Sequence, residues 1–394
     1  MLMAWDASST LVQRFAAAYD ATRALWPSRK RVGGTYQGYV KALIKYSPRL
    51  LRELEARLRH AVEQALGAQW RMGPWVVLGV DGSRFDLPRT AANERAFGCA
   101  ARDKTGPQAW VTTILHLASG LPWCWKIGRG ASSERDHLRQ MIHRLPTHTL
   151  LVADAGYCGY DLWRQLLDHG HDILIRVGAN VRLLRQLGCH VREHEGIVYL
   201  WPSKAQRRNQ RPLILRLIRL SDGRRTMHLV TSVLDDKLLS ETRALECYRM
   251  RWGLELWYRA LKQTLDRRTM RSGAPVQAAL ELRWALLSMS LLGLMGARSL
   301  IEAGVCPRRL SFARCAAELR RTVTRLWHRR PAGTPLTRRL RAAVIDDYRR
   351  KVAKHARAWP HVKREKPPGP PRITIASPAQ IQHAQYLAER KLSA

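Results

Sequence analysis

The sequence predicts an α/β protein: a mixed sheet, a β-rich block set into it, and helical regions at both ends. Three observations predict it. Apolar runs of strand length stand at 75–80 ("WVVLGV"), 111–117 ("VTTILHL"), 121–128 ("LPWCWKIG"), 149–154 ("TLLVAD") and 173–178 ("ILIRVG"), with helical patterns only after the third and fourth. Three strands, a helix, a strand, a helix and a strand make a mixed sheet. A second set of strand-like runs follows at 197–201, 212–220 and 226–233, and helical periodicity dominates residues 1–70 and the chain beyond about 240.

The elements follow in order. Leu51, Leu54, Leu58, Val62 and Leu66 recur at helical spacing with charges between them, and Pro48 just before them marks a helix start. This basic helical region carries no helix-turn-helix signature, so it is a candidate DNA-binding region and no more. Residues 132–145 read as a helix capped by Ser132 or Ser133. Glu134 and Asp136 suit its first turn, and His137 reads as structural. Residues 160–170 read as the next helix, with Gly170 at its stop. Turns at 203–211 and 221–225 separate the strands of the β-rich block. A single helix is expected over 241–265, and the apolar run at 284–297, too short for a bilayer and holding Ser288 and Ser290, reads as a buried helix. Residues 306–358 are Arg-rich and mostly helical, and "KREKPPGPPR" (363–372) reads as a proline-rich linker before a loosely attached tail.

Composition narrows the function. The chain has 394 residues, 46% of them hydrophobic, which excludes a disordered protein. Its 68 Lys and Arg against 31 Asp and Glu give a formal net charge of +37. Such an excess repels itself in a compact state, and a polyanionic partner offsets it. Nucleic acid is the first candidate and an anionic membrane surface the rival. Seven scattered cysteines without a CxxC indicate reduced, cytosolic thiols. Cys189, His190 and His194 could bind a metal but lack a fourth ligand at the usual spacing. The first residues lack the basic start and continuous apolar core of a signal peptide.

Three acids stand out. Asp81 follows one strand and Asp154 ends another, each with a glycine close behind. Strand ends of α/β sheets face the crevice where ligands bind. Taken singly, either aspartate reads more readily as an ordinary loop residue. Glu255 adds weight. At ~100° per residue, Tyr248, Arg251, Glu255 and Lys262 share one helix face, and Met250, Leu254, Trp257, Leu261 and Leu265 form an apolar stripe opposite. A plain surface ion pair of Arg251 with Glu255 stays open as a reading. The other reading is a metal site with phosphate-holding neighbours: carboxylate oxygens for Mg²⁺, Arg and Lys for phosphates.

The spacing Y-x2-R-x3-E-x6-K, on Tyr248, Arg251, Glu255 and Lys262, resembles the signature of bacterial DDE transposases of insertion sequence family four. The words "VDGSRFDLP", "NERAFG" and "LLVADAGYCG" around the aspartates resemble that family too, over about residues 75–300. The resemblance implies a ribonuclease H-like catalytic domain at 73–300 with a β-rich insertion at about 185–238. A helical region at 1–72, a basic helical region at 301–362 and a linker and tail at 363–394 flank it. It implies Asp81, Asp154 and Glu255 as catalytic metal ligands for two divalent cations, Mg²⁺ with Mn²⁺ as substitute. Tyr248, Arg251 and Lys262 would contact DNA phosphates, and Trp201 would stack on an extruded base, against the commoner role of a strand Trp in the core.

The activity implied is cut-and-paste transposition: hydrolysis at the element's ends, then strand transfer by the freed 3′-hydroxyl, with a hairpin step in some relatives. The implied partners are double-stranded DNA, as terminal inverted repeats and target, and a second copy of the chain in the DNA complex. No membrane partner is expected, and the expected location is the bacterial cytoplasm, on the nucleoid when bound. Two alternatives stay open: a non-catalytic DNA-binding descendant, and a ribonuclease H-like nuclease or resolvase without strand transfer.

Overall fold

The computed structural model describes residues 1–27, 33–99, 106–190, 193–194, 196–221, 226–328, 333–345 and 369–389. The chain forms two compact units, each built from two segments: Met1–Thr149 with Arg249–Val344, and Leu150–Tyr248 with Ile345–Ala394.

The first unit opens with α1 (Leu2–Trp5) and α2 (Leu11–Leu25). Thr10 and Gln13 form a capping box at α2, satisfying two end N–H groups reciprocally. α3 (Tyr36–Leu66) begins at the Thr35 cap, whose hydroxyl accepts the Gly38 N–H, so Pro48 lies inside this helix and not before it. Proline there removes the bond to the carbonyl four residues back, but Pro48 and Ile44 both face outward, where water can serve that carbonyl. Leu51, Leu58, Val62 and Leu66 are the buried stripe, and Gly67 at φ +50° ends the helix.

β1 (Val76–Asp86), β2 (Gln108–His116) and β3 (Leu121–Arg129) form an antiparallel meander, with α4 (Ala91–Phe97) between the first two. Residues 76–80 of β1 are buried and residues 81–83 are half-buried, so the strand leaves the core at Asp81. α5 (Glu134–Arg139) follows, capped by Ser133, and a 3-10 turn at Ile142–Arg144 takes up the rest of the expected helix. His137 is buried on α5, its Nδ1 2.9 Å from Thr112 Oγ1 on β2.

In the second unit β4 (Thr149–Ala153), α6 (Tyr160–Asp168) and β5 (Asp172–Val177) make a parallel βαβ step. The chain order of meander, helix, strand, helix and strand is the one the sequence predicts. β6 (Arg182–Arg185), β7 (Ile197–Leu200), α7 (Ser203–Arg207), β8 (Leu213–Ser221) and β9 (Thr226–Thr231) follow. β9 pairs antiparallel with both β8 and β5, so the β-rich block extends this unit's sheet. β6 and the short helix α7 were not expected.

α8 (Glu241–Met250) starts at Ser240, which accepts the Arg243 N–H. α9 (Gly253–Arg259) belongs to the first unit and runs into a π-turn at Ala260–Thr264. The single helix expected over 241–265 is therefore broken. At the break Leu254 and Glu255 bond back only three residues, to the carbonyls of Arg251 and Trp252, and Gly253 lowers the local preference for regular helix. α10 (Pro275–Ile301) starts with proline at its first turn. By length and composition it could cross a membrane, yet its middle is buried against α3, β3, α11 (Phe312–Trp327) and α12 (Leu336–Leu340). Gly296 permits the close approach: a Cβ there would lie 2.5 Å from Leu310 Cδ1 and 2.9 Å from Cys315 Sγ.

β10 (Arg372–Ile375) pairs in parallel with β6, completing the order β10-β6-β7-β8-β9-β5-β4 in the second unit. α13 (Pro378–Glu389) is held by Arg211, which donates to the Leu387 carbonyl at 2.9 Å, and by His383 against Asn209 at 3.0 Å. Residues 369–389 are thus an integral strand and helix where a loose tail was expected. The proline-rich linker at 363–368 and the helical reading of 346–358 lie outside the described residues.

Candidate active site

Asp81, Arg251, Glu255 and Lys262 belong to the first unit. Asp81 lies in the middle of β1, opposite Thr113 of β2, and not just past the strand's end as expected; it is the first half-buried residue after the buried stretch 76–80. Its Oδ1 accepts the N–H of Gly82 at 2.8 Å, and its Oδ2 lies 3.8 Å from Arg251 Nη1. The Arg251 side chain is only 12% exposed, so water screens this pair less than a surface pair. Glu255 sits in the first turn of α9, half-buried, and α9 packs on β1. A negative group in that position is favoured by the helix dipole.

The apolar stripe of Met250, Leu254, Trp257, Leu261 and Leu265 is buried throughout, as expected, despite the break. Lys262 lies in the π-turn. Its Nζ donates to Ser83 Oγ at 2.7 Å and stands 5.0 Å from the Phe85 ring centre. Burial pulls its pKa down, partly countered by Asp86. Tyr258 is buried in the same unit, and its hydroxyl lies 3.0 Å from the carbonyls of both Asp81 and Val111. Burial raises this phenol well above its ordinary range, so it remains a donor.

Asp154, Tyr248 and Trp201 belong to the second unit. Asp154 ends β4 and caps the turn that follows. Its Oδ1 accepts the Ala155 N–H at 2.8 Å and the Tyr248 hydroxyl at 3.3 Å, with Arg176 Nη1 3.8 Å away. Both aspartates thus share one local arrangement, with the next residue's amide on one oxygen and an arginine at loose ion-pair distance. Arg176, Ser83 and Tyr258 were not read from the sequence. For Arg176 a signal existed, because it is the one charge inside the apolar strand "ILIRV".

Trp201 is placed differently from the stacking expectation. It is 3% exposed, its indole N–H donates to the Gln210 carbonyl at 2.6 Å, and its ring lies 5.2 Å from that of His383. Packed in this way it offers no face to a base, and its role is in the core. Among the described residues no three His, Cys, Asp or Glu side chains stand together as a metal site, which holds for Cys189, His190 and His194 and for Asp81, Asp154 and Glu255 alike. The carboxylate oxygens of Asp81, Asp154 and Glu255 are hard donors, and their chemistry fits Mg²⁺ or Mn²⁺ and not a thiolate-seeking metal.

Two aspartates, one within β1 and one just after β4, and a glutamate on α9, each aspartate beside an arginine, in a chain of net charge +37, are the features of an enzyme of nucleic-acid phosphodiesters. A family model described as the transposase DDE domain matches residues 76–291, and the chain belongs to this family of DDE transposases. The transposase InsG for insertion sequence element IS4 of Escherichia coli (strain K12) is 28% identical over 306 residues, covering 74% of this chain and 68% of that protein. Among solved structures, the cryo-EM structure of the piggyBac transposase synaptic complex with hairpin DNA is similar at 13% identity and a TM-score of 0.41. That match covers 72% of this chain and 60% of the length of the piggyBac chain. Family membership carries with it a dependence on divalent metal.

Proposed function

We propose that this chain moves an insertion sequence by cutting double-stranded DNA at the element's terminal inverted repeats and joining the freed ends to target DNA. Asp81, Asp154 and Glu255 are the catalytic acids that would hold two divalent cations, Mg²⁺ by preference. The chemistry such cations supply is a more acidic water and charge neutralisation at the attacked phosphate. The chain's own part is positional. Hydrogen bonds from the Gly82 and Ala155 amides orient the Asp81 and Asp154 carboxylates. Arg251 and Arg176, each 3.8 Å from an aspartate oxygen, are the guanidinium groups that would bind phosphate oxygens. Tyr248 and Lys262 supply further donors for the DNA backbone. Water attack at phosphorus breaks the P–O3′ bond, so the 3′-oxygen leaves as the freed 3′-hydroxyl and the phosphate stays on the flanking 5′ end; that hydroxyl then attacks a target phosphodiester in the same in-line geometry and expels the target's own 3′-oxygen. Two copies of the chain hold the two ends, and the work is done on the host nucleoid in the bacterial cytoplasm.

The observation that supports this most is the matched local setting of Asp81 and Asp154, inside the span matched by the family model. The test uses DNA spanning the gene and its flanks, Mg²⁺, and wild-type protein beside Glu255→Gln. Paired cuts bearing 3′-hydroxyls at inverted ends, joined to target and absent with the variant, are expected. Cuts without joining would turn the reading to a nuclease or resolvase. Specific end binding without cuts would turn it to an inactive descendant.

A further inference from the structure

Tyr258 follows Glu255 by three residues on α9, one turn along the same short helix. Its hydroxyl reaches back to β1 and lies 3.0 Å from the carbonyl of Asp81 itself. That carbonyl and the N–H of Gly82 belong to one planar peptide group. The same Gly82 N–H donates to Asp81 Oδ1 at 2.8 Å. A continuous path therefore runs from α9 through the Tyr258 hydroxyl, the Asp81–Gly82 peptide plane and the Gly82 amide to the Asp81 carboxylate. The second acceptor, the Val111 carbonyl on β2 at 3.0 Å, anchors the hydroxyl to the neighbouring strand, so the phenol cannot follow α9 alone. Its ring packs against Phe85 of β1, with centroids 6.3 Å apart, and it is 5% exposed. The plane is also boxed in from its other side: a Cβ on Gly82 would stand 2.6 Å from the Trp110 ring.

We propose that Tyr258 is a positioning residue: a strut that fixes the direction of the Asp81 carboxylate relative to the helix carrying Glu255. It lies outside the Tyr248, Arg251, Glu255 and Lys262 signature, and packing alone does not require its hydroxyl, since phenylalanine would fill the same space. The proposal rests on the reading of Asp81 and Glu255 as cation-holding acids. Partners hydrogen-bonded directly to a ligand change metal affinity by ~10–100-fold when lost, and Tyr258, which reaches the carboxylate through the Asp81–Gly82 peptide, belongs at the low end of that range.

The test is Mn²⁺ binding to the full chain without DNA, followed by the electron paramagnetic resonance of free Mn²⁺, with the melting temperature recorded beside it. Tyr258→Phe is expected to weaken Mn²⁺ binding by about tenfold while the metal-free melting temperature moves by a few degrees at most. A phenylalanine variant that binds Mn²⁺ as the wild type does overturns the strut. Should that variant fail to fold, a fluorinated tyrosine at position 258, which keeps shape and hydroxyl but donates more strongly, is expected to shift Mn²⁺ affinity, and no shift overturns the proposal. Asp81→Asn and Glu255→Gln separate the two levels. Mn²⁺ binding lost in both but unchanged in Tyr258→Phe removes the strut alone. Binding indifferent to both acids removes the reading of the site, and the strut falls with it.

Discussion

His116 contributes to the response of the first unit to acid. It is fully buried at the end of β2, stacked on Trp70 with ring centres 4.9 Å apart. Nε2 lies 3.0 Å from the Trp70 carbonyl, so it donates, and Nδ1 lies 2.9 Å from Ser119 Oγ, so it accepts. Each nitrogen is served in the neutral ring. A second proton would sit on Nδ1, displace the Ser119 donor and leave a buried charge without an anion. Burial accordingly lowers the pKa from 6.5 to about 4, the Trp70 carbonyl opposing weakly.

The unfolded chain then takes up a proton first as pH falls. The stability His116 contributes is complete above pH 6.5, declines below it, and is exhausted near pH 4. At ~1.4 kcal/mol per unit, the whole window is worth about 3 kcal/mol, and the part between pH 7 and pH 5 about 2 kcal/mol. Equilibrium urea denaturation of the wild type and His116→Gln at pH 7 and pH 5 isolates this, since every other group titrates in both proteins. The variant starts less stable at pH 7 and loses about 2 kcal/mol less on acidification. Equal losses in the two proteins would mean that His116 carries a proton in the fold, and the burial argument would fail.

Other outcomes follow from packing. Gly296→Ala drives a methyl against Leu310 and Cys315, and this overpacking of about 1–3 kcal/mol outweighs the ~1 kcal/mol of helix preference alanine restores. A net loss is expected in the same denaturation assay, and a gain would show that α10 and α11 can slide apart freely. Cys99 and Cys306 are exposed, whereas burial raises the thiols of Cys124 and Cys315 to about 12 and that of Cys247 to about 11. A thiol reagent at pH 8 should label the first two quickly and the last three only on denaturation, as peptide mass spectrometry would report. Fast labelling of Cys315 would contradict the packing of α11.

Much of the site was legible because buried apolar runs are legible. "WVVLGV" and "TLLVA" are buried, and the first charge after each is a candidate acid; β4 does end before Asp154, whereas β1 runs on through Asp81 to Asp86, held by pairing with β2 that the apolar run does not record. The break before α9 was hidden because Met250, Leu254 and Trp257 keep helical phase across it, and periodicity reports burial, not hydrogen bonding. β6 was hidden for another reason: "RLLR" holds two apolar residues, and its strand character comes from pairing with β10, far along the chain. Tyr258 was invisible for the same cause, since its partners are backbone carbonyls, which no residue letter records. Trp201 shows the converse. One letter fits a stacking platform and a core residue alike, and only the Gln210 carbonyl and His383 decide between them.

The interleaving of the two units has a consequence during synthesis. Asp81 leaves the ribosome early, but α9 belongs to the same unit and is made only after the whole span Leu150–Tyr248. At about 5–20 residues per second that span takes on the order of ten seconds, during which the meander has no α9 to close over it. Asp81 and Glu255 therefore cannot come together on a nascent chain, or on a prematurely terminated one, that stops short of α9, however complete its meander.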